Sequence, residues 1–178
     1  FLDSEKIHLE QSCERLSIVP TRQFLIISIS KQSLFLFSDN EIIQSYTIST
    51  SKNPPSCLNN SYGTPIGLHA VSDKIGDGEL KGTVFKGRVS QGYSYHDAPL
   101  VERSKNLITS RIIRIRGLDP SLNAGGNHDS YSRYIYIHGT NHEQRLGEAF
   151  SLGCIEMSND DCIDLFDRIS INSLIWIA

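Results

Sequence analysis

Residues 134–161 read YIYIHGTNHEQRLGEAFSLGCIEMSNDD, which places a strand, a turn and a helix start in one short stretch. The first letters alternate, so that Ile135 and Ile137 point one way while Tyr136 and His138 point the other. Alternation of this kind is typical of a strand with one buried face. We therefore predict a strand that carries His138 at its end.

Most of the remaining sequence also predicts strands. The chain contains 22 Ile but only 5 Ala, and Ile favours strands whereas Ala is the best helix former. Strand-like patterns, the first three of them arranged as an antiparallel meander, cover residues 24–30, 33–38, 41–50, 64–76, 83–90, 107–118, 133–140 and 173–178. Ser158 is a candidate N-cap for one helix, with helical spacing over 162–170. We expect a mostly β fold, a mixed-sheet sandwich or flattened barrel with one helix after Cys154.

Length and charge bound the domain organisation and the partners. A chain of 178 residues fits one domain, and we assign residues 1–22 to a helical or irregular N-terminal extension and 23–178 to the main domain. Residues 90–106 predict a long surface loop. The net charge of −3, without a polybasic run, excludes a nucleic-acid-binding surface. No window approaches the ~20 apolar residues that a membrane span needs.

The cysteines leave their pairing open. They are Cys13, Cys57, Cys154 and Cys162. No pair has the close spacing of a zinc site, and Cys162 falls among the core positions of the predicted helix. Cys13 and Cys57 could form one disulfide in an oxidising compartment, and the sequence alone does not decide this.

Two histidines have a spacing that can indicate a metal site. His138 and His142 are four residues apart, as two metal ligands on a helix would be. Gly139 and Thr140 lie between them directly after a strand, which opposes a helix there. We predict no metal and no other cofactor.

The chemistry centres on the run Ser151-Leu152-Gly153-Cys154, which follows the strand of His138. A thiol nucleophile needs a nearby base and hydrogen-bond donors for the developing oxyanion. His138 could be the base, and the backbone N–H groups of Gly153 and Cys154 could be the donors. Spacing alone leaves a second interpretation open, because a free Cys is often only a small buried apolar side chain.

The flanking letters resemble the catalytic motif of the L,D-transpeptidase (YkuD-type) family, I-H-G-T followed by S-H-G-C-I-R-M and an Asn-Asp pair. The matching residues are Ile137, His138, Gly139, Thr140, Leu146, Gly147, Ser151, Gly153, Cys154, Ile155, Met157, Asn159 and Asp160. Residues 64–67, TPIG, resemble the family's T-P-x-G signature, and residues 28–50 resemble its opening hairpin. The resemblance runs from Phe24 to Ala178.

Two letters depart from the family motif. Leu152 stands where the motif has His, and this removes a polar group beside the nucleophile. Glu156 stands where the motif has Arg or, in some branches, Asn. An acidic neighbour disfavours a thiolate, although a Glu156 that faces the site could favour a cationic acceptor amine.

The resemblance implies a mechanism and three candidate functions. Cys154 would attack the amide between the third residue of a peptidoglycan stem and D-alanine, with His138 as base and then acid and with Gly153 in the oxyanion hole. Transfer of the acyl group to an amine of a second stem would give a 3→3 cross-link. With water as acceptor, the same site would be an L,D-carboxypeptidase. A divergent, weakly active peptidoglycan-binding module is the third candidate.

The resemblance also implies substrate contacts and a location. We expect the contacts at Gly139, Thr140, Ser151, Leu152, Glu156 and Tyr136. Because Gly139 follows the base, a backbone carbonyl is expected to orient the imidazole. The partners would be a donor tetrapeptide and an amine acceptor, and the chain would be exported, as a periplasmic or cell-wall-associated protein.

Overall fold

One mixed sheet of ten strands organises the structure, a computed structural model that describes all of residues 1–178. The strands are β1 (Gln23–Ser28), β2 (Ser33–Ser38), β3 (Glu41–Ser49), β4 (Gly67–Ile75), β5 (Thr83–Lys86), β6 (Val89–Ser94), β7 (Ile108–Gly117), β8 (Tyr136–Thr140), β9 (Ile155–Met157) and β10 (Leu174–Ile177). The α-helices are α1 (Leu2–Leu16), α2 (Leu100–Arg103) and α3 (Asn159–Arg168). Two 3₁₀ turns cover Gly126–His128 and Glu143–Arg145.

The strand order closes the sheet into a barrel. The order is β4-β10-β1-β2-β3-β9-β8-β7-β5-β6, and β4 also pairs with β7. This extra pairing joins eight of the strands in a ring, from which the β5–β6 hairpin extends. The β1–β10 and β8–β9 pairs are parallel and the others antiparallel. The prediction of a mostly β fold, a mixed-sheet sandwich or flattened barrel with a helix after Cys154, is therefore confirmed, with the barrel as the form observed. The antiparallel β1–β2–β3 meander is also confirmed.

The core forms because the alternating strands turn their aliphatic side chains inward. Nineteen buried residues make the main cluster, in which Ile113, Ile137 and Ile155 of three neighbouring strands meet Leu165 and Phe166 of α3. Helix α3 begins after Ser158, whose Oγ accepts a hydrogen bond from the Asp161 N–H at 3.1 Å. The nucleophile strand and the helix behind it are thus packed into one core.

Helix α1 covers the outer face of the sheet. Leu9 and Cys13 on α1 pack against Phe24 and Leu174 in a second cluster of eight buried residues. The Arg15 guanidinium also forms an ion pair with Asp119. The N-terminal segment is thus a packed helix, and the division into 1–22 and 23–178 stays a prediction.

The sequence missed the β5–β6 hairpin. The single strand predicted over 83–90 is wrong, because Gly87 and Arg88 have φ values of 55° and 68° and turn the chain back on itself. The loop predicted over 90–106 is wrong in part, since it contains the rest of β6 and the short helix α2.

All four cysteines are free thiols. Cys13 lies in the α1 cluster, and the Cys57 thiol faces the Ile66 carbonyl at 3.7 Å.

No helix combines the length and the apolar character that crossing a membrane requires.

Candidate active site

Cys154 and His138 meet where two parallel strands lie side by side. In the β8–β9 register, Ile137 pairs with Ile155 and His138 pairs with Glu156. Cys154 directly precedes β9, so it lies beside Tyr136, one step earlier on β8. The short-range motif and the parallel pairing together bring the thiol to the imidazole.

The thiol rests against the backbone that leads into β8. The Cys154 Sγ atom accepts a hydrogen bond from the Tyr136 N–H at 3.4 Å and can donate one to the Tyr134 carbonyl at 3.6 Å. Tyr134 has a φ of 56°, a conformation that is uncommon for a tyrosine and that costs energy. Cys154 is partly exposed, as a nucleophile must be.

A backbone carbonyl orients the base. The His138 side chain is only 3% exposed, and its Nδ1 lies 2.8 Å from the Gly139 carbonyl. A carbonyl only accepts, so Nδ1 carries the proton and Nε2 is left for the thiol. The expectation from Gly139 is confirmed. Gly139 itself is required, because a Cβ there would lie 2.7 Å from the Thr109 carbonyl oxygen.

The electrostatics favour a charged imidazole. Burial alone would lower the pKa of His138, but its interactions with Cys154 and Glu156 outweigh burial and raise the pKa to about 9. The imidazole therefore holds its proton at neutral pH. An imidazolium next to a thiol favours the thiolate form of that thiol.

Glu156 faces the site from β9. Its side chain is 1% exposed, and Oε1 accepts a hydrogen bond from the Asn106 amide while Oε2 has no partner. No lysine or arginine pairs with it. A buried carboxylate is costly without a counter-charge, and the residue opposite Glu156 in the β8–β9 register is His138, whose pKa the Glu156 charge helps to raise.

The turn before the thiol contains the two predicted oxyanion donors. The Ser151 hydroxyl donates to the Cys154 carbonyl at 2.6 Å and accepts from the Gly153 N–H at 3.2 Å. The Cys154 N–H makes no hydrogen bond within the protein. Gly153 has a φ of 120°, which favours glycine. Of the two predicted donors, Cys154 N–H is free, and Gly153 N–H is held by Ser151.

The other predicted contact residues differ in their access to a substrate. Gly139 and Thr140, at the end of β8, and Ser151, in the turn before Cys154, are all buried. Tyr136 is buried as well, with its hydroxyl accepting from Arg88. Leu152 is 58% exposed and lines a 240 Å³ cleft with Asn59, Asn60, Tyr62, Ser132, Arg133, Tyr134 and Ile135. Their contact with substrate stays a prediction.

Sequence reasoning missed several polar residues around the site. Asn106 holds both Glu156 and the Thr140 hydroxyl, at 3.3 Å for the latter. Arg133 donates to the Gly63 carbonyl at 2.7 Å and so fixes the segment before the TPIG signature. No local pattern marks either residue, because both act across long sequence separations.

The sequence marks Asn159 only as a letter of the family motif, and the structure shows that it joins three elements by hydrogen bonds. Its Nδ2 donates to the Thr140 carbonyl at 2.9 Å, and its Oδ1 accepts from the Thr109 hydroxyl at 2.7 Å. Asn159 thereby ties the start of α3 to β7 and β8. No cluster of three or more His, Cys, Asp or Glu side chains is placed to hold a metal ion.

Comparisons with known proteins agree on one family. The model of the L,D-transpeptidase catalytic domain (YkuD) matches residues 22–177. The YqjB protein of Bacillus subtilis (strain 168) is 44% identical over 46 residues, which are 26% of this chain and 26% of that protein.

Solved structures show the same fold. An L,D-transpeptidase from Mycobacterium smegmatis matches with a TM-score of 0.55 at 17% identity, over 88% of this chain and 58% of that one. L,D-transpeptidase 3 from Mycobacterium tuberculosis, in complex with a faropenem-derived adduct, matches with a TM-score of 0.55 at 16% identity, over 88% of this chain and 60% of that one. The chain thus spans about three-fifths of these solved relatives. With the family model covering almost every residue, the chain belongs to the L,D-transpeptidase catalytic domain (YkuD) family.

Proposed function

We propose that this chain is a peptidoglycan L,D-transpeptidase with Cys154 as nucleophile and His138 as base. The observation that carries the proposal is the pairing of a partly exposed thiol with a buried imidazole whose pKa is raised to about 9. A thiolate–imidazolium pair is the reactive form of a cysteine acyltransferase. The family membership supports a stem peptide as the substrate.

The first half-reaction forms an acyl-enzyme. The Cys154 thiolate attacks the carbonyl carbon between residue three of the donor tetrapeptide and D-alanine. The C–N bond breaks, and the His138 imidazolium gives its proton to the leaving amine. The Cys154 N–H, free of other partners, would stabilise the oxyanion, with Gly153 held in place by Ser151.

The acceptor in the second half-reaction determines the product. His138 is neutral after acylation, so it can take a proton from the acceptor amine as the amine attacks the thioester and releases the Cys154 thiolate. An amine from a second stem gives a 3→3 cross-link. Water as acceptor gives an L,D-carboxypeptidase, the alternative that the site geometry supports equally in its acylation step.

The third candidate, a weakly active peptidoglycan-binding module, rests on the departures Leu152 and Glu156. The placement of both residues favours activity. Leu152 is exposed at a cleft, where an apolar side chain can contact substrate. The negative charge of Glu156 is one of the interactions that raise the pKa of His138, which supports a charged base.

The substrate implies the location and the partners. Peptidoglycan lies outside the cytoplasmic membrane, so we propose an exported protein that acts in the periplasm or cell wall. Its partners are a donor tetrapeptide stem and an amine acceptor. The residues we propose for substrate contact are Gly139, Thr140, Ser151, Leu152, Tyr136 and Glu156, the last of them through movement of Asn106, which covers it.

Incubation with disaccharide-tetrapeptide, followed by mass spectrometry, tests the proposal. A cross-linked dimer supports transpeptidation, and a tripeptide alone supports the carboxypeptidase. Binding without either product supports the binding module. Cys154→Ala must remove all turnover, and Cys162→Ala, which alters a fully buried thiol elsewhere in the core, is the matched control that must keep it.

A further inference from the structure

We propose that Arg88 binds the C-terminal carboxylate of the donor stem peptide, the carboxylate of the D-amino acid that leaves. The proposal rests on the proposed function, and it names the group that recognises the leaving residue. Arg88 lies on the β5–β6 hairpin that the sequence did not predict.

A single tyrosine connects the thiol to this guanidinium. The Tyr136 N–H donates to the Cys154 Sγ atom at 3.4 Å, and the Tyr136 hydroxyl accepts from Arg88 Nη1 at 3.1 Å. The hairpin turn holds Arg88 at a φ of 68°, a left-handed conformation uncommon for arginine. The fold therefore keeps an arginine, at an energetic cost, at the hydroxyl end of the tyrosine against which Cys154 packs.

The Arg88 guanidinium has donors to spare. A guanidinium carries five N–H donors, and the Tyr136 hydroxyl is the one acceptor that Arg88 contacts. It forms no ion pair. Its Cζ lies 4.9 Å from the centroid of the Tyr134 ring, which orders the side chain. An ordered guanidinium with free in-plane donors matches the two oxygens of a carboxylate.

Two other arginines near the thiol are already engaged. Arg114 is buried, stacks on Tyr131 at 3.4 Å and lies opposite Asp73 in the β4–β7 pair. Arg133 donates to two backbone carbonyls and one hydroxyl. Arg114 has one unpartnered donor, Nε, but this atom is buried, whereas the Arg88 side chain is partly exposed.

The donor peptide carries its terminal carboxylate one residue beyond the scissile bond. With the scissile carbonyl at Cys154, the terminal carboxylate follows one residue on, ~3.5 Å along an extended chain. On the other side of the thiol, the buried carboxylate of Glu156 lies beside His138 and repels an anion. Charge therefore directs the peptide terminus toward Arg88.

Binding to the Cys154→Ala protein tests the proposal without turnover. Calorimetry compares the tetrapeptide stem with the same peptide carrying a C-terminal amide. We expect amidation to weaken binding about tenfold or more, because the amide removes the charge and one of the two acceptor oxygens that the guanidinium would bind. In Arg88→Gln the two peptides should bind alike, and in Arg88→Lys part of the difference should remain. Lys86→Gln, on the same hairpin but paired with Glu102 at 2.9 Å, should keep the full difference.

Two results would overturn the carboxylate site. One is equal binding of acid and amide by the Cys154→Ala protein, a comparison that needs no Arg88 variant to fold. The other is an undiminished difference in Arg88→Gln. The parent protein could instead form neither cross-link nor tripeptide while the Cys154→Ala protein still binds the acid more tightly than the amide. That result would refute the proposed function and leave the Arg88 site supported.

Discussion

Glu156 lies opposite His138 in the register of the parallel β8–β9 pair, and both residues are buried. No lysine, arginine or histidine forms an ion pair with the Glu156 side chain, and its charge is one of the interactions that raise the pKa of His138. Where the family motif has a cation or an amide, this chain has an acid that influences the proposed base.

The first prediction concerns that pair. Glu156→Gln keeps the shape and the Asn106 contact but removes the charge, so the pKa of His138 should fall from about 9 by about one unit or more. NMR titration of the imidazole measures it. His69, buried elsewhere with its pKa lowered to about 4, is the internal reference and should not move. Glu148→Gln, at an exposed position, controls for net charge. An unchanged pKa of His138 in folded Glu156→Gln would show that Glu156 does not influence the imidazole.

The second prediction concerns acid stability. His69 is neutral and buried, with Nδ1 3.0 Å from the Gly67 carbonyl and Nε2 2.9 Å from the Ser130 hydroxyl. Burial lowers its pKa from 6.5 to about 4, so between these values the unfolded chain binds more protons than the folded one. The free energy of unfolding should therefore fall as the pH falls from 6.5 to 4, by on the order of 3 kcal/mol.

Urea unfolding at several pH values measures this slope. His69→Gln should be less stable than the parent at pH 7.5 but should lose less stability toward pH 4. Parallel pH profiles for the two proteins would exclude His69 as the origin. Asp119, whose pKa is held near 2 by Arg15 despite its burial, titrates below this window and does not interfere.

The third prediction concerns the oxyanion turn. Ser151→Ala removes the hydroxyl that joins the Gly153 N–H to the Cys154 carbonyl, so the turn loses its brace. We expect the rate of Cys154 acylation to fall about tenfold or more with little change in melting temperature. Stopped-flow acylation by the penem faropenem measures the rate, because one of the solved relatives is in complex with a faropenem-derived adduct. An unchanged or faster rate would show that the brace does not assist the oxyanion donors.

The fourth prediction concerns Gly139, the residue of β8 that follows His138. Gly139→Ala places a Cβ 2.7 Å from the Thr109 carbonyl oxygen and 3.0 Å from Asn159 Oδ1. Neither atom can move freely, so the variant should lose about 1–3 kcal/mol of stability and displace His138. Thermal unfolding and the His138 titration report these two effects separately. Wild-type values for both would mean that β8 tolerates a side chain at this position.

The strands and the candidate thiol–imidazole pair could be predicted from the sequence, because alternation is a local signal and because the letters around Cys154 match a family motif. Alternation marked the strand of His138, and the letters around Gly153 and Cys154 marked the nucleophile turn. The sequence missed Arg88 because a Lys-Gly-Arg run inside β-branched letters has the same pattern as a continuous strand, and only the backbone angles reveal the turn. It missed Asn106 because its partner Glu156 is fifty residues away.

Mass spectrometry of the intact protein with a tetrapeptide stem tests the central claim, that Cys154 with His138 forms the acyl-enzyme. The account predicts a tripeptidyl adduct, formed with loss of D-alanine, that maps to the tryptic peptide containing Cys154. The adduct should be absent in Cys154→Ala and slow to form in His138→Gln. An adduct on another residue, or its formation at the normal rate in His138→Gln, would contradict the account.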